Sequence, residues 1–145
     1  MADDARTSIL FICNQNSIRS PMAAALAAHL SAGTLSVDSA GVYEGGQDPF
    51  IKMILSEIGV ELTEENPKAM NDLNIDRFDV VIALTPEAAG EARRLVGSDK
   101  VKFWDVENPT DTRGTGDELM EAYRRAREDL AARIRADFLS GNEKP

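Results

Sequence analysis

Short apolar runs alternate along the chain with stretches that have the composition of helices. Four of these runs are predicted strands, at 8–12, 35–40, 79–84 and 101–104. The first and the third are apolar almost throughout, as strands buried on both faces are. Three stretches between them are predicted helices, each followed by a glycine: 21–32, 49–58 and 86–96. Strands that alternate with helices predict an α/β fold whose parallel sheet is covered on both faces.

The last predicted helix has the clearest amphipathic pattern. Thr115 and Glu118 have the spacing of a capping box at its start, and Gly141 is its predicted C-cap. Its apolar positions recur every three or four residues: Leu119, Tyr123, Ala126, Leu130 and Ile134. The chain has 145 residues, no internal repeat and no low-complexity linker, so we predict one domain, 1–145.

The charge balance restricts the classes of partner. The formal net charge is -9, so the surface field repels nucleic acid and anionic membranes. No apolar run approaches the roughly 20 residues of a membrane helix, and the polar N-terminus lacks the apolar core of a signal peptide. We therefore expect a cytoplasmic protein with no nucleic-acid or membrane partner. The single cysteine excludes an internal disulfide framework and a multi-cysteine zinc site, and we predict no metal site.

The segment from Cys13 to Ser20 joins the first predicted strand to the first predicted helix. Ligands bind beyond the carboxyl ends of parallel strands, and the N–H groups at a helix start favour a phosphate. The same positive end favours the thiolate of Cys13, and the planar guanidinium of Arg19 can bind two oxygens of an oxyanion. Asn16 is a residue type that tolerates the left-handed conformation of a curled loop.

Each of these residues also has a purely structural interpretation. A lone cysteine is most often a small buried hydrophobe, and an arginine six positions later is by itself a weak indication. Ser20 is predicted to cap the helix before Pro21, and it either caps only or also hydrogen-bonds the thiolate. The order of strand, cysteine, loop, arginine and helix start favours the chemical interpretation.

Four segments resemble one enzyme family: CNQNSIRSPMA at 13–23, VDSAG at 37–41, FDVVIAL at 78–84 and WDVENP at 104–109. This family contains the low-molecular-weight protein tyrosine phosphatases and the related arsenate reductases. The resemblance implies a three-layer fold with a four-stranded parallel sheet, helices on both faces and a phosphate-binding loop between the first strand and the first helix. It also implies a phosphocysteine intermediate and no cofactor.

Carried over by position, the resemblance makes Cys13 the nucleophile and Arg19 the oxyanion clamp. Ser20 would stabilise the thiolate, and Tyr43 would be either an aromatic wall for the substrate or an exposed loop tyrosine. The side chains that would keep the loop in shape are those of Asn16 and Ser39. The amides that would hold the phosphate oxygens are those of Asn14, Gln15, Asn16, Ser17, Ile18 and Arg19.

The chain departs from the family pattern at the general acid, an aspartate directly before a proline. Here that dipeptide reads Asn108-Pro109, and an asparagine cannot supply the roughly 10²–10⁴-fold help of a proton donor. Asp105 and Asp111 would be substitutes if their loop were repositioned, although surface charges or turn formers are the more ordinary roles. The alternatives are a slow phosphatase limited to good leaving groups, an enzyme re-acidified by a neighbouring aspartate, and a phosphate-binding protein without turnover.

The cysteine count separates the two branches of the family. Reductases that regenerate through protein disulfides need further cysteines, so only reduction coupled to an external low-molecular-weight thiol remains open. Residues 83–86 and 104–105 favour the reductase branch, whereas residues 20–22 favour the phosphatase branch. We predict hydrolysis of a phosphorylated protein, phosphotyrosine first, or of a small phosphomonoester, with arsenate as the alternative substrate, by a monomer or weak dimer.

Several other features are predicted to be structural. His29 is expected to be a surface or packing residue, and Trp104 to fill the core beside the last strand. Asp48 precedes a proline, as the general acid does, but it falls at a helix start and is predicted to be an N-cap. The arginines of the last helix are predicted to form a solvated face with i,i+4 pairs: Arg124, Arg125, Arg127 and Arg133.

Overall fold

A parallel sheet of four strands forms the middle layer of the protein. The computed structural model describes residues 6–15, 18–43, 45–46, 48–62 and 67–139. The strands are β1 (Thr7–Cys13), β2 (Leu35–Gly41), β3 (Val80–Ala83) and β4 (Val101–Phe103). They lie in the order β2-β1-β3-β4, and each begins and ends within one residue of its predicted bounds. The predicted parallel sheet is therefore confirmed.

Helices cover both faces of this sheet. They are α1 (Arg19–Leu30), α2 (Ile51–Ser56), α3 (Pro86–Val96) and α4 (Gly116–Ile134). Ile9 and Phe11 of β1 pack into the core that includes α1, α2 and α4, whereas Leu10 and Ile12 pack into the core that includes α3. This alternation produces the three predicted layers. None of the helices in the described ranges is long and apolar enough to span a bilayer.

The start of α1 differs from the prediction. The helix begins at Arg19 with Ile18 at the capping position and without a side-chain cap, so the prediction that Ser20 caps it is wrong. Ser20 instead lies inside the first turn, and its side chain is fully buried. Its hydroxyl turns towards β1 and β2, where it finds hydrogen-bond partners that a capping position would not offer.

The other helix ends agree more closely with the predictions. The capping box of Thr115 and Glu118 at the start of α4 is confirmed. α2 is shorter than predicted, and Asp48 does not adjoin it, but this carboxylate accepts two backbone N–H groups at the entry to the helix, at 2.7 and 3.2 Å. Gly141, the predicted C-cap of the last helix, lies outside the described residues.

The arginines of α4 do not form the predicted solvated face. Arg127 is buried, with 8% of its surface exposed, and donates to a backbone carbonyl of α2 and to Glu57 at 2.9 and 2.8 Å. Arg124 also binds Glu57, at 2.8 Å. The predicted i,i+4 pattern accounts for Arg133 with Asp129. The spacing of charges within α4 could not indicate that Glu57, at the end of α2, binds Arg124 and Arg127.

Two placements of single side chains are confirmed. Trp104 is 5% exposed and lies between the rings of Phe11 and Phe138, with centroid distances of 6.1 and 6.3 Å. His29 is exposed near the end of α1, which agrees with the surface position that was one of the two predicted for it.

Candidate active site

Cys13 lies at the carboxyl end of β1, where the strand order changes direction. β1 pairs with β2 on one side and with β3 on the other. Such a switch point opens a crevice beyond the strand ends, and ligands of open α/β sheets bind there. The hydroxyl of Thr85, just after β3, crosses this crevice and donates to the side-chain oxygen of Asn14 at 2.6 Å.

The thiol of Cys13 is buried, with 4% exposed, and its sulfur lies 3.0 Å from the hydroxyl oxygen of Ser20. The same hydroxyl donates to the carbonyl of Ala40 in β2 at 3.2 Å. Because Ser20 is the second residue of α1, the positive end of this helix lies next to the sulfur. The structure thus brings together the predicted nucleophile and the predicted thiolate-stabilising hydroxyl.

Arg19 is the first residue of α1, and its guanidinium reaches the segment after β4. Its Nη1 donates to the carbonyl of Val106 at 3.1 Å, which fixes one arm of the planar group. Among the described residues, no side chain caps α1, and the N–H of Met22 already donates to the carbonyl of Ile18, so the N–H of Arg19 is the helix-start donor that an oxyanion can occupy. Donors from one side chain and from one helix start therefore converge near the sulfur.

A cavity of about 490 Å³ opens onto Cys13. Six predicted site residues line it, from the loop after β1 and the segment after β4: Cys13, Asn14, Gln15, Ile18, Arg19 and Asn108. Four further residues, to which the sequence analysis gave no site role, complete the lining: Gly46, Asp48, Pro49 and Thr110. Six of the thirteen predicted site residues therefore line one cavity.

A second cavity of about 490 Å³ shares Asn14, Arg19 and Asn108 with the first. The two predicted substitute acids, Asp105 and Asp111, line this second cavity. They are not among the described residues that line the cavity of the thiol. The two carboxylates therefore line a cavity that adjoins the cavity of the thiol.

The segment that carries Asn108 is anchored to α4. Arg125 pairs with Glu107 at 2.8 Å, and its hydrogen bonds lower the pKa of this glutamate. Arg133 donates to the backbone carbonyl of Asp105 at 3.3 Å. The carbonyl of Val106, between Asp105 and Glu107, accepts a hydrogen bond from Arg19 of α1. Repositioning the segment would break all of these contacts.

The side chain of Asn108 faces the cavity as a hydrogen-bond donor. Its Oδ1 accepts the backbone N–H and the hydroxyl of Thr110, at 3.2 and 2.9 Å. Within the described part of the chain, its amide nitrogen has no acceptor, so this nitrogen is the group left for a ligand. An amide N–H can donate a hydrogen bond, but it does not transfer a proton at neutral pH.

Asp48 is a site residue that the sequence analysis assigned only to capping. Its Oδ1 accepts the N–H groups of Phe50 and Ile51, and its Oδ2 accepts the hydroxyl of Tyr123 in α4. Burial and this hydrogen bond raise the pKa of Tyr123. The Asp-Pro dipeptide was an available signal for Asp48, but no sequence pattern joins it to a tyrosine 75 residues away.

The remaining predicted residues lie at the edge of the site or beyond what is described. Tyr43 is 54% exposed and lines neither described cavity. Its hydroxyl donates to Glu87, and this hydrogen bond raises the pKa of Tyr43. Ser39 is fully buried in β2. Asn16 and Ser17 lie outside the described residues, so their roles stay predictions.

Gly45 supports the loop in a way that the sequence analysis missed. Its N–H donates to the carbonyl of Gln15 at 3.1 Å. A Cβ at this position would lie 2.6 Å from Cβ of Gln15 and 2.8 Å from its carbonyl oxygen, so only a glycine permits this approach. Paired glycines such as those at 45–46 indicate a loop, and close backbone contact is a second reason for glycine.

One class of α/β proteins is defined by a buried cysteine at the end of a central parallel strand. In this class the strand is followed by a helix that starts with an arginine and has no side-chain cap. These proteins hold an oxyanion loop between a strand and a helix. The family described as low molecular weight phosphotyrosine protein phosphatase has a model that matches residues 8–137, and the chain belongs to this family. The resemblance inferred from four short segments is therefore confirmed.

Known relatives lie on both branches of the family. An arsenate reductase of Shouchella clausii is 27% identical over 127 residues, which cover 88% of this chain and 91% of the relative. The low molecular weight protein-tyrosine-phosphatase YfkJ of Bacillus subtilis is 32% identical over 104 residues, 62% of this chain and 64% of the relative. The solved YwlE arginine phosphatase from Geobacillus stearothermophilus is 29% identical, with a TM-score of 0.76 over 94% of this chain and 95% of that one.

Proposed function

We propose that the chain hydrolyses phosphomonoesters, with protein phosphotyrosine as the first candidate substrate, through a phosphocysteine intermediate. The observation that supports this most directly is the position of the Cys13 sulfur. It lies 3.0 Å from the hydroxyl oxygen of Ser20 and opens onto the cavity that Arg19 also lines. A nucleophile, a thiolate partner and an oxyanion clamp therefore meet at one helix start.

In the first proposed step, the thiolate of Cys13 attacks phosphorus in line with the leaving oxygen. A sulfur–phosphorus bond forms and the phosphorus–oxygen bond to the leaving group breaks, whose electrons stay on that oxygen. Arg19 and the amides of residues 14–19 hold the equatorial oxygens, because donors aimed at developing charge lower the barrier. Ser20 donates to the sulfur while it carries negative charge.

In the second proposed step, water attacks the same phosphorus. The sulfur–phosphorus bond breaks, its electrons return to Cys13 as a thiolate, and inorganic phosphate leaves with the water oxygen. Ser20 again stabilises the departing sulfur. No oxidant, reductant or cofactor enters either step.

The leaving oxygen has to take its proton from solvent in this proposal. Asn108 can give it a hydrogen bond only, and Asp105 and Asp111 lie around the second cavity. Without a proton donor, the rate is lower by roughly 10²–10⁴-fold, mainly for esters with poor leaving groups. We therefore propose a slow enzyme that favours activated esters.

The test is turnover of p-nitrophenyl phosphate beside phosphotyrosine. We expect this chain to hydrolyse the activated ester, Cys13→Ser to abolish turnover, and Asn108→Asp to improve phosphotyrosine more than p-nitrophenyl phosphate. The gain with phosphotyrosine should be roughly 10²-fold if the aspartate acts as a proton donor. Asn71→Asp, at an exposed position that lines neither described cavity, is a matched control for the change of an amide to an acid.

Two results would contradict the proposal. Turnover of the activated ester by Cys13→Ser would exclude the cysteine mechanism. No turnover of either ester, together with tight binding of vanadate, would instead favour the phosphate-binding protein without turnover.

Arsenate reduction is the second candidate, and the relative named arsenate reductase, matched over 88% of this chain, favours it. Reduction of arsenate to arsenite takes two electrons, and the chain has one cysteine. A low-molecular-weight thiol would therefore have to supply the second sulfur of the disulfide that forms. Arsenite production that needs both Cys13 and added thiol would support this candidate, and its absence would exclude it.

A further inference from the structure

The lining of the Cys13 cavity carries one negative charge among the described residues. Among the described residues that line the cavity of Cys13, the charged ones are Arg19 and Asp48. Arg19 lies in the oxyanion loop, where the phosphoryl group would bind. Asp48 lies in the part of the lining that Gly46 and Pro49 also form, and Asn108 belongs to the same lining.

The carboxylate of Asp48 is fixed in position. Its Oδ1 accepts two backbone N–H groups at 2.7 and 3.2 Å, and its Oδ2 accepts the hydroxyl of Tyr123. Tyr123 is itself fully enclosed, with 1% exposed, and its ring packs edge-on against Phe50 at 5.7 Å. A carboxylate fixed by three donors does not swing away when a ligand enters.

The same contacts leave Asp48 able to bind one more donor. A carboxylate has about four lone-pair positions, and intramolecular donors occupy three of them. The remaining position is on Oδ2, and Asp48 is only half-buried. A donor or a cation on the substrate therefore has a prepared acceptor.

We infer that Asp48 determines specificity, so that the cleft prefers phosphomonoesters whose leaving group carries a positive charge or hydrogen-bond donor and disfavours those with a further negative charge. This inference rests on the proposed function, because it places the phosphoryl group at Cys13 and Arg19. The overall charge of -9 acts in the same direction, but it acts on every approach to the surface. A local carboxylate adds a preference that one substitution removes.

The experiment compares binding of two aryl phosphates that differ in the charge of one arm. Tyramine phosphate carries an ammonium, and 3-(4-phosphonooxyphenyl)propanoate carries a carboxylate, on phenols of similar acidity. Binding is measured by calorimetry to Cys13→Ser, which holds the ligand without turnover. We expect the ammonium compound to bind about tenfold more tightly, and the ratio to shrink in about 1 M salt.

Two further variants in the Cys13→Ser background separate local from global charge. Asp48→Asn keeps an oxygen that accepts the two backbone N–H groups, so the wall keeps its shape while the ratio falls several-fold. Asp99→Asn removes the same charge from an exposed turn at the opposite end of the sheet and should leave the ratio unchanged.

Equal binding of the two compounds, or the same ratio in Asp48→Asn as in Cys13→Ser alone, would overturn the inference. The proposed hydrolysis is judged separately, by turnover in the chain that retains Cys13. Charge-selective binding without turnover would leave Asp48 as the selective residue and exclude the phosphatase. Turnover without charge-selective binding would support the phosphatase and exclude Asp48 as the selective residue.

Discussion

The hydroxyl of Ser20 has one proton and, among the described residues, two neighbours that can accept it. It donates to the carbonyl of Ala40 at 3.2 Å and lies 3.0 Å from the sulfur of Cys13. While the hydroxyl donates this proton to the carbonyl of Ala40, a hydrogen bond with the sulfur requires the S–H of the thiol as the donor. When the thiol ionises, the hydroxyl has to turn from Ala40 to the thiolate. The position of one hydroxyl proton therefore follows the ionisation of Cys13.

Ser20→Ala removes this donor, and we expect the sulfur of Cys13 to react more slowly as a nucleophile. A hydrogen bond to a charged group contributes about 1.5–3 kcal/mol, so alkylation by iodoacetamide near neutral pH should slow by roughly tenfold or more. Ser31→Ala, which truncates another buried serine away from the site, is the control. Equal alkylation rates in this chain and in Ser20→Ala would show that the hydroxyl does not act on the thiolate.

Single residues differed in how far the sequence could place them. Cys13, Arg19 and Asn108 lie in short motifs, and the structure puts all three around one cavity. Asp48 carried only a local signal for capping, and its contact with Tyr123 joins positions 75 apart without any repeating pattern. Contacts of this kind depend on how helices pack, which one sequence does not specify.

At the scale of elements, α4 holds both walls of the candidate cleft. Tyr123 binds the wall that contains Asp48, and Arg125 binds Glu107 beside Asn108. Other arginines of the same helix secure the end of α2 through one glutamate. Three adjoining positions of one helix therefore connect to both sides of the cavity.

Glu57 makes the attachment of α2 dependent on pH. Hydrogen bonds from Arg124 and then Arg127 lower the pKa of Glu57 from 4.5 to about 2. Because the pKa is lower in the folded chain, the stabilisation is complete above about pH 4.5 and is lost as the pH falls towards 2. We expect Glu57→Gln to lower the urea midpoint at pH 7, and this difference to shrink between about pH 4.5 and 2.5.

The control for this prediction is Glu61→Gln, at an exposed glutamate beyond the same helix. It should leave the urea midpoint nearly unchanged across the same range. A difference between this chain and Glu57→Gln that persists undiminished at about pH 2.5 would contradict the assigned cause.

The sequence predicted strands better than side-chain partners. Strands buried on both faces have unbroken apolar sequences, so their bounds were predicted to within one residue. α2 was predicted too long, because its apolar residues continue to Ile58, whereas regular hydrogen bonding ends near Ser56. The arginines of α4 were misassigned because the glutamate that two of them bind lies on another element.

At the scale of the whole molecule, Trp104 connects the first strand to the last described turn. Its ring lies 6.1 Å from that of Phe11 in β1 and 6.3 Å from that of Phe138. It is the one tryptophan of the chain, so its fluorescence reports a contact between distant parts of the sequence.

We expect urea unfolding followed by this fluorescence to coincide with unfolding followed by far-ultraviolet circular dichroism. Because β1 packs into both cores, the two should unfold in a single transition, and Phe138→Ala should shift both curves equally. A fluorescence transition at clearly lower urea than the loss of helix would show that the segment around Phe138 separates first.

The position of α4 at the end of the described chain has a consequence during synthesis. The nucleophile, the arginine clamp and three of the four strands are translated before residue 84, whereas Tyr123 and Arg125 follow some forty residues later. A nascent chain therefore exposes a reactive sulfur before either wall of its cleft is fixed. On the proposed function, translation stalled before α4 would yield a thiol that reacts with oxidants but does not select a substrate, and selectivity would arrive once α4 has been made.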